Sequence, residues 1–153
     1  MKVALASDHA GYELKENLKE YLSELGIPAE DLGTGTGSDS VDYPDYAAAA
    51  AGRVRDGKAD RGIVICATGV GVCISANKVA GIRAAAAWHP EIARLSRAHN
   101  DANVLCLPGR FMEPELAREL VKIWLVTPFD GGRHRRRVDK IANLERQKTK
   151  ACL

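Results

Sequence analysis

The chain lacks a charge bias: 22 basic and 20 acidic residues leave a net charge of +2 over 153 residues, too little to argue for a nucleic-acid partner. It lacks any apolar run near the roughly 18 residues that a membrane-spanning helix takes, so no membrane contact is expected. Its four cysteines, Cys66, Cys73, Cys106 and Cys152, form no CxxC pair, and no secretory leader stands before them. Reduced thiols in a cytoplasmic protein fit that usage better than a disulfide framework. No His, Cys and Asp spacing matches a ligand set, so no metal is expected. Repeats, low-complexity tracts and linkers are absent as well, and the length suits one domain over residues 1–153.

What is present is an alternation of short apolar runs with helical periodicity. Residues 2–7 (KVALAS) read as a strand, followed by Leu14, Leu18, Tyr21, Leu22 and Leu25 at helical spacing until Gly26 and Pro28 stop them. Residues 30–32 suggest a second short strand. The run GTGTGS at residues 33–38 imitates a dinucleotide fingerprint, but Ser38 stands in place of the third glycine and a polar loop follows. A flexible loop is expected there. A helix runs from Asp42 through the alanines to Arg55, and residues 63–66 form the central strand. Further strands are expected at residues 82–87 and 103–107, and helices at 91–98, 114–126 and 133–148. Leu116, Leu120, Ile123 and Trp124 face inward in the second of these. The alternation implies a three-layer, Rossmann-like α/β fold with a five-stranded parallel sheet and helices on both faces. The last helix carries a weak stripe, Val138, Ile141 and Leu144, that suits a partner subunit as well as its own sheet.

The centre of the chain is residues 61–78 (RGIVICATGVGVCISANK), a buried strand running into a glycine turn and a helix. Open α/β sheets hold ligands beyond the carboxyl ends of their strands, and amides at a helix start favour a phosphate or a developing oxyanion. Cys66 ends the strand, where a glycine loop and helix start favour a thiolate. Collected at one sheet edge, the strand-end residues are Asp8, His9, Cys66, Thr68, Trp88, His89, His99, Asn100 and Arg110, a candidate site. Several have a plainer alternative. Cys66 is otherwise a core thiol, as Cys73 and Cys106 are expected to be. Asp8 and His9 otherwise make a capped turn, and His99 is otherwise a surface residue after a helix. Arg133 and Arg137, four apart, would grip a phosphate together or belong to a solvated basic face, as Arg135 and Arg136 are expected to do.

These residues, in this order, resemble the B-type ribose-5-phosphate isomerases and their allose- and galactose-6-phosphate isomerase relatives. The likeness covers SDHAG (7–11), VDYPDYA (41–47), GIVICATGVG (62–71), ANKVAGIRAA (76–85), LSRAHNDANVL (95–105) and GGRHRRRV (131–138), almost the whole chain. It implies an aldose-ketose isomerase working through a cis-enediolate without metal or organic cofactor. By the same resemblance, Cys66 is the base between C1 and C2; some members use a glutamate where Val72 stands here. Thr68 and the loop of Ala67, Gly69, Val70 and Gly71 would hold the enediolate oxygen. His99, helped by Asp8, would open the sugar ring. Tyr43 and Asn100 would contact hydroxyls, and His9, Arg110, Arg133 and Arg137 the phosphate. The resemblance further implies a homodimer or tetramer whose sites are shared between subunits.

Two departures touch specificity. Ala67 stands where the family commonly has glycine, which would cost about 1 kcal/mol if the position needs positive φ. Trp88, bulky at a strand end, is expected to line the sugar pocket. Ribose 5-phosphate is the expected substrate, with a six-carbon aldose phosphate such as allose 6-phosphate as the alternative. A non-catalytic phosphate- or nucleotide-binding module and a thiol hydrolase or redox protein are the competing classes; a silent binder has no need of Cys66 with His99, and no resolving cysteine lies near Cys66.

Overall fold

The computed structural model describes residues 1–151, with side chains to residue 147; Cys152 lies outside the described residues. Five parallel strands form one sheet: β1 (Val3–Ser7), β2 (Ala29–Asp31), β3 (Arg61–Cys66), β4 (Ala84–Ala86) and β5 (Val104–Pro108), in spatial order β2-β1-β3-β5-β4. The helices are α1 (Tyr12–Glu24), α2 (Tyr43–Arg55), α3 (Val70–Ala76), α4 (Pro90–Ala98), α5 (Pro114–Val126) and α6 (Gly132–Ala151), with a short 3₁₀ turn at His9–Gly11. Helices cover both faces, so β1, β3 and β5 are buried almost throughout and read as continuous apolar runs.

The period-2 alternation along the strands sorts side chains by size. Leu5, Ile63, Ile65, Leu105 and Leu107 face α1, α4 and α5, where Leu18, Ala93, Leu120 and Trp124 complete a bulky core. On the other face Ala4, Ala6, Val64, Cys66 and Cys106 meet Ala47, Ala50 and Ala51 of α2 and Val72 and Ala76 of α3. The small residues on both sides let α2 and α3 lie close to the sheet. Pro44, Pro90 and Pro114 sit in the first turns of α2, α4 and α5, where the missing N–H is not needed.

Differences from the sequence expectation are local. β4 spans three residues, not six, because Ile82 closes a turn onto the Val79 carbonyl before pairing begins. In the second helix of the C-terminal half, Leu120 and Trp124 are buried as expected, whereas Leu116 and Ile123 are only partly so. The glycine loop after β2 is tethered at its start. Leu32 and Thr34 donate their amides to Leu5 and Ser7 at 2.8 and 3.0 Å, and Asp31 accepts from buried Lys15 at 2.6 Å. A Cβ on Gly33 would lie 2.7 Å from both the Ser7 nitrogen and Lys15, so only glycine fits. α6 buries His134 and Val138, and Glu145 accepts the Gly81 amide at 3.0 Å, while Ile141 and Leu144 stay exposed. Among the described residues no helix is long and apolar enough to cross a membrane.

Candidate active site

From β1 the chain turns outward to β2, and from β3 it turns the other way, toward β5 and β4. The crevice of this parallel sheet therefore opens beyond the carboxyl ends of β1 and β3. Asp8, only 5% exposed, follows β1; its amide reaches across to the Ile65 carbonyl at 3.3 Å, and its carboxylate caps the 3₁₀ turn through the Gly11 amide at 3.0 Å. His9 accepts the Val41 amide at Nδ1, 3.1 Å away. That bond assigns its proton to Nε2 and leaves Nε2–H for a ligand.

The loop after β3 supplies the facing wall. Gly109 and Arg110 donate their amides to the Cys66 and Ala67 carbonyls at 2.8 and 3.1 Å, which straps the turn bearing Arg110 onto this loop. Gly69 is left-handed (φ 73), and a Cβ there would sit 3.0 Å from the Leu107 carbonyl carbon. Ala67 has no such conformation, since Asp101 is the one non-glycine residue of positive φ among those described. The strain foreseen at Ala67 is therefore absent, and Gly69 carries the special backbone instead. Thr68 is exposed, and its Oγ1 accepts the Val70 amide at 3.3 Å, so the hydroxyl proton remains to be given. The amides of Gly69 and Gly71 have no acceptor among the described residues. Tyr43, at the start of α2, lies over Gly71, where a Cβ would come within 2.6 Å of its Cζ. Cys66 itself is 4% exposed, seated among Ala6, Val64, Val72 and Cys106.

His99 and Asn100 are not on this edge. They follow a helix that runs back down the sheet, and they precede β5, whose Asn103 is held level with Gly62 and Arg83 at the strand starts. The length of β3 separates them from Cys66 within one chain, about 15 Å at ~3.3 Å per residue. The expectation of a single edge fails because strand ends and helix ends in α/β units lie at opposite rims. On the lower rim His99 stacks on His134 with ring centroids 4.0 Å apart, and Asp130 lies 4.0 Å from His99 Nε2. Arg133 Nε approaches His134 Nε2 at 3.5 Å. Burial pushes the His134 imidazolium pKa down, and the charges of His99, Arg133 and Arg137 push the same way against Asp130. The candidate residues thus fall into two groups on opposite rims: Asp8, His9, Tyr43, Cys66, Thr68 and Arg110 above; His99, Asn100, Arg133, His134 and Arg137 below.

Other expected residues take different places. His89 caps α4, its Nδ1 accepting the Glu91 amide at 3.2 Å, and Trp88 stands 63% exposed beside it. Cys106 is a core thiol whose pKa burial raises, but Cys73 is only half-buried; its thiol is pushed down to about 7, first by the Cys106 thiol and then by the Ala86 amide and Asn77, against burial. His99, Asp130 and His134 bring one ligand atom each within 4.8 Å, a grouping no sequence spacing reveals. Imidazole lone pairs lie in the ring plane, and these rings are 6° from parallel. Their lone pairs run side by side and do not converge on one ion.

The model of the ribose/galactose isomerase family matches residues 3–141. The chain belongs to that family. It is 45% identical to ribose-5-phosphate isomerase B of Escherichia coli, over 96% of this chain and 98% of that one. A solved ribose 5-phosphate isomerase from Thermotoga maritima superimposes with a TM-score of 0.91 at 53% identity, over 93% and 97% of the two chains. D-erythrulose-4-phosphate isomerase of Pectobacterium atrosepticum is 39% identical over 96% and 97%. The protein is an aldose-ketose isomerase with the Rossmann-like fold of this family. Asp101, Asp130 and His134 were not singled out as site residues from the sequence; the dense run of HND after the fourth helix and the histidine inside the arginine cluster were the available signals.

Proposed function

We propose that the protein interconverts D-ribose 5-phosphate and D-ribulose 5-phosphate in the cytoplasm, as a step of the pentose phosphate pathway, with residues 1–153 acting as one isomerase domain. The observation that carries the reading is the switch-point crevice, where Cys66 ends β3 beneath Thr68 and the unengaged amides of Gly69 and Gly71. His99 opens the ring with help from Asp8, by moving a proton between the ring oxygen and the C1 hydroxyl. The Cys66 thiolate then takes the C2 proton while the carbonyl oxygen at C1 becomes an enediolate oxygen held by Thr68 and the loop of Ala67, Gly69, Val70 and Gly71. The hydroxyl proton passes from O2 to O1, the same thiol returns the carbon-bound proton to C1, and the carbonyl settles at C2. Tyr43 and Asn100 meet the hydroxyls; His9, Arg110, Arg133 and Arg137 fix the phosphate.

Two half-sites on opposite rims support a homodimer, in which the His99 rim of one chain closes over the Cys66 rim of the other. Apolar side chains left exposed on α3 and α6 (Val70, Ile74, Ile141 and Leu144) suit such a contact, with α6 lying on the partner. A hollow of about 430 Å³ under α6, lined by Gly81, Arg83, Ile141 and Leu144, belongs to this surface and not to the Cys66 crevice. A four- or six-carbon substrate is the second reading; the relative named for erythrulose 4-phosphate favours the shorter one.

The test is ketose formation from a panel of four-, five- and six-carbon aldose phosphates, with Cys66→Ala alongside. The variant is expected to bind substrate and to exchange no C2 proton with solvent. Turnover surviving in Cys66→Ala rejects the base, and binding without turnover by the unaltered protein rejects the enzyme reading in favour of a silent phosphate binder.

A further inference from the structure

We infer that Asp101 is a positioning residue that holds the ring-opening His99 in reach of the sugar; the inference rests on the isomerase reading above. Asp101 is the one non-glycine residue with a left-handed backbone among those described (φ 48). Asp and Asn tolerate that region better than other side chains, yet such outliers persist only where the surroundings enforce them. Here the enforcement is visible. Asp101 Oδ1 accepts from Arg97 Nη1 at 2.8 Å and Oδ2 from Arg83 Nη2 at 3.0 Å. Arg97 is 3% exposed and also donates to the Ala102 carbonyl at 2.7 Å. Arg83 donates Nε to the carbonyls of Asn100 and Asp101 at 3.1 and 3.0 Å, and Nη2 to Asp101 again at 2.8 Å. Three successive carbonyls, of Asn100, Asp101 and Ala102, therefore each receive a guanidinium proton.

The clamp extends to the sheet. Asn103 accepts the Arg83 amide at 2.8 Å and donates to the Gly81 carbonyl at 2.9 Å. The left-handed residue ends α4 and reverses the chain, so the residues just before it project from the rim. Asp101 faces two arginines and touches no reacting atom in this scheme; its effect passes through the main chain to His99. A carboxylate that served stability alone has no need of a strained backbone one residue from Asn100.

Chemistry offers a discriminating substrate. Ribose 5-phosphate closes a ring through its C4 hydroxyl and must be opened before C2 can lose its proton. In erythrose 4-phosphate that oxygen carries the phosphate, so no five-membered ring forms and the ring-opening step is skipped. Loss of His99 placement should harm the first sugar and largely spare the second. General loss of structure should harm both alike.

The experiment compares Asp101→Asn, which keeps the left-handed preference and removes the charge, with Arg83→Gln, which loosens the main-chain clamp at a half-exposed site. In each, kcat on ribose 5-phosphate is expected to fall about tenfold or more while kcat on erythrose 4-phosphate stays within about threefold. The imidazole resonances of His99 and His134, displaced in the native protein by the mutual ring current of the stack, are expected to move toward free-histidine positions. Equal losses on both sugars, or no loss, with the imidazole resonances unmoved, would overturn the inference. Unaltered protein inert on both sugars would sink the isomerase reading instead, and the resonances would still decide whether Asp101 holds the His99 stack.

Discussion

The rings of His99 and His134 lie face to face, 4.0 Å apart and 6° from parallel. A second positive charge in such a stack is opposed, and burial already lowers the His134 pKa from its ordinary value near 6.5, with Arg133 and Arg137 adding to the effect. Above 6.5 this ring is neutral in both folded and unfolded chains and contributes no pH dependence. Below it the unfolded chain takes up the proton first, so stability falls as the solution is acidified. Urea midpoints at pH 7.5 and 5.5 should show a larger acid loss for the native protein than for His134→Asn. Equal losses would show that His134 is not the group responsible.

The two rims predict complementation. Cys66→Ala and His99→Asn should each be inactive on ribose 5-phosphate. Refolded together in equal amounts, half of the dimers are mixed, and one of the two sites in each mixed dimer has both residues intact, so about a quarter of native activity should return. No recovery after confirmed subunit exchange would place both residues in a site made by one chain.

The backbone at the glycine turn gives a contrast between neighbours. Gly69→Ala forces a side chain into φ 73 and against Leu107, and should cost about 2 kcal/mol together with most of the activity. Ala67→Gly relieves nothing, because Ala67 is not left-handed, and should lower stability by about 0.5–1 kcal/mol through the freer unfolded chain. Thermal unfolding of the two variants measures both. A stabilised Ala67→Gly protein would contradict the assignment.

Lys15 is almost fully buried, with its ammonium 2.6 Å from Asp31 and 2.7 Å from Glu16. Burial works against the Asp31 carboxylate, but the bonds from Lys15 and Lys19 outweigh it and hold its pKa below the usual value. Asp31→Asn leaves Lys15 with one carboxylate partner and should cost about 2–3 kcal/mol, at or just below the low end of the cost of breaking a buried pair, because Asp31 is partly exposed. Adding Lys15→Met should restore most of that in urea unfolding. A double variant no more stable than Asp31→Asn would show that the charge is not what is lost.

Much of this architecture was legible from residue order. β1, β3 and β5 are covered on both faces and so appear as unbroken apolar runs, and Gly69 and Cys66 mark the turn at the switch point. The tethered loop was not legible, because its restraints come from Ser7 and Lys15, far along the chain. Nor was the position of His99. Its neighbours in sequence say that it precedes a strand, and only the direction of the preceding helix says which rim that is. The Asp101 backbone was hidden for a similar reason: Arg83 and Arg97 impose it, and neither announces itself by spacing.

The placement of Cys66 and His99 at opposite ends of the same sheet has a bearing on control. If two copies complete each other, a correctly folded solitary chain is idle, and each protomer owns half of two reaction chambers. Specific activity then climbs with protein concentration and vanishes on dilution, with no change in the fold of either subunit. Supply of a second copy becomes the simplest throttle on flux.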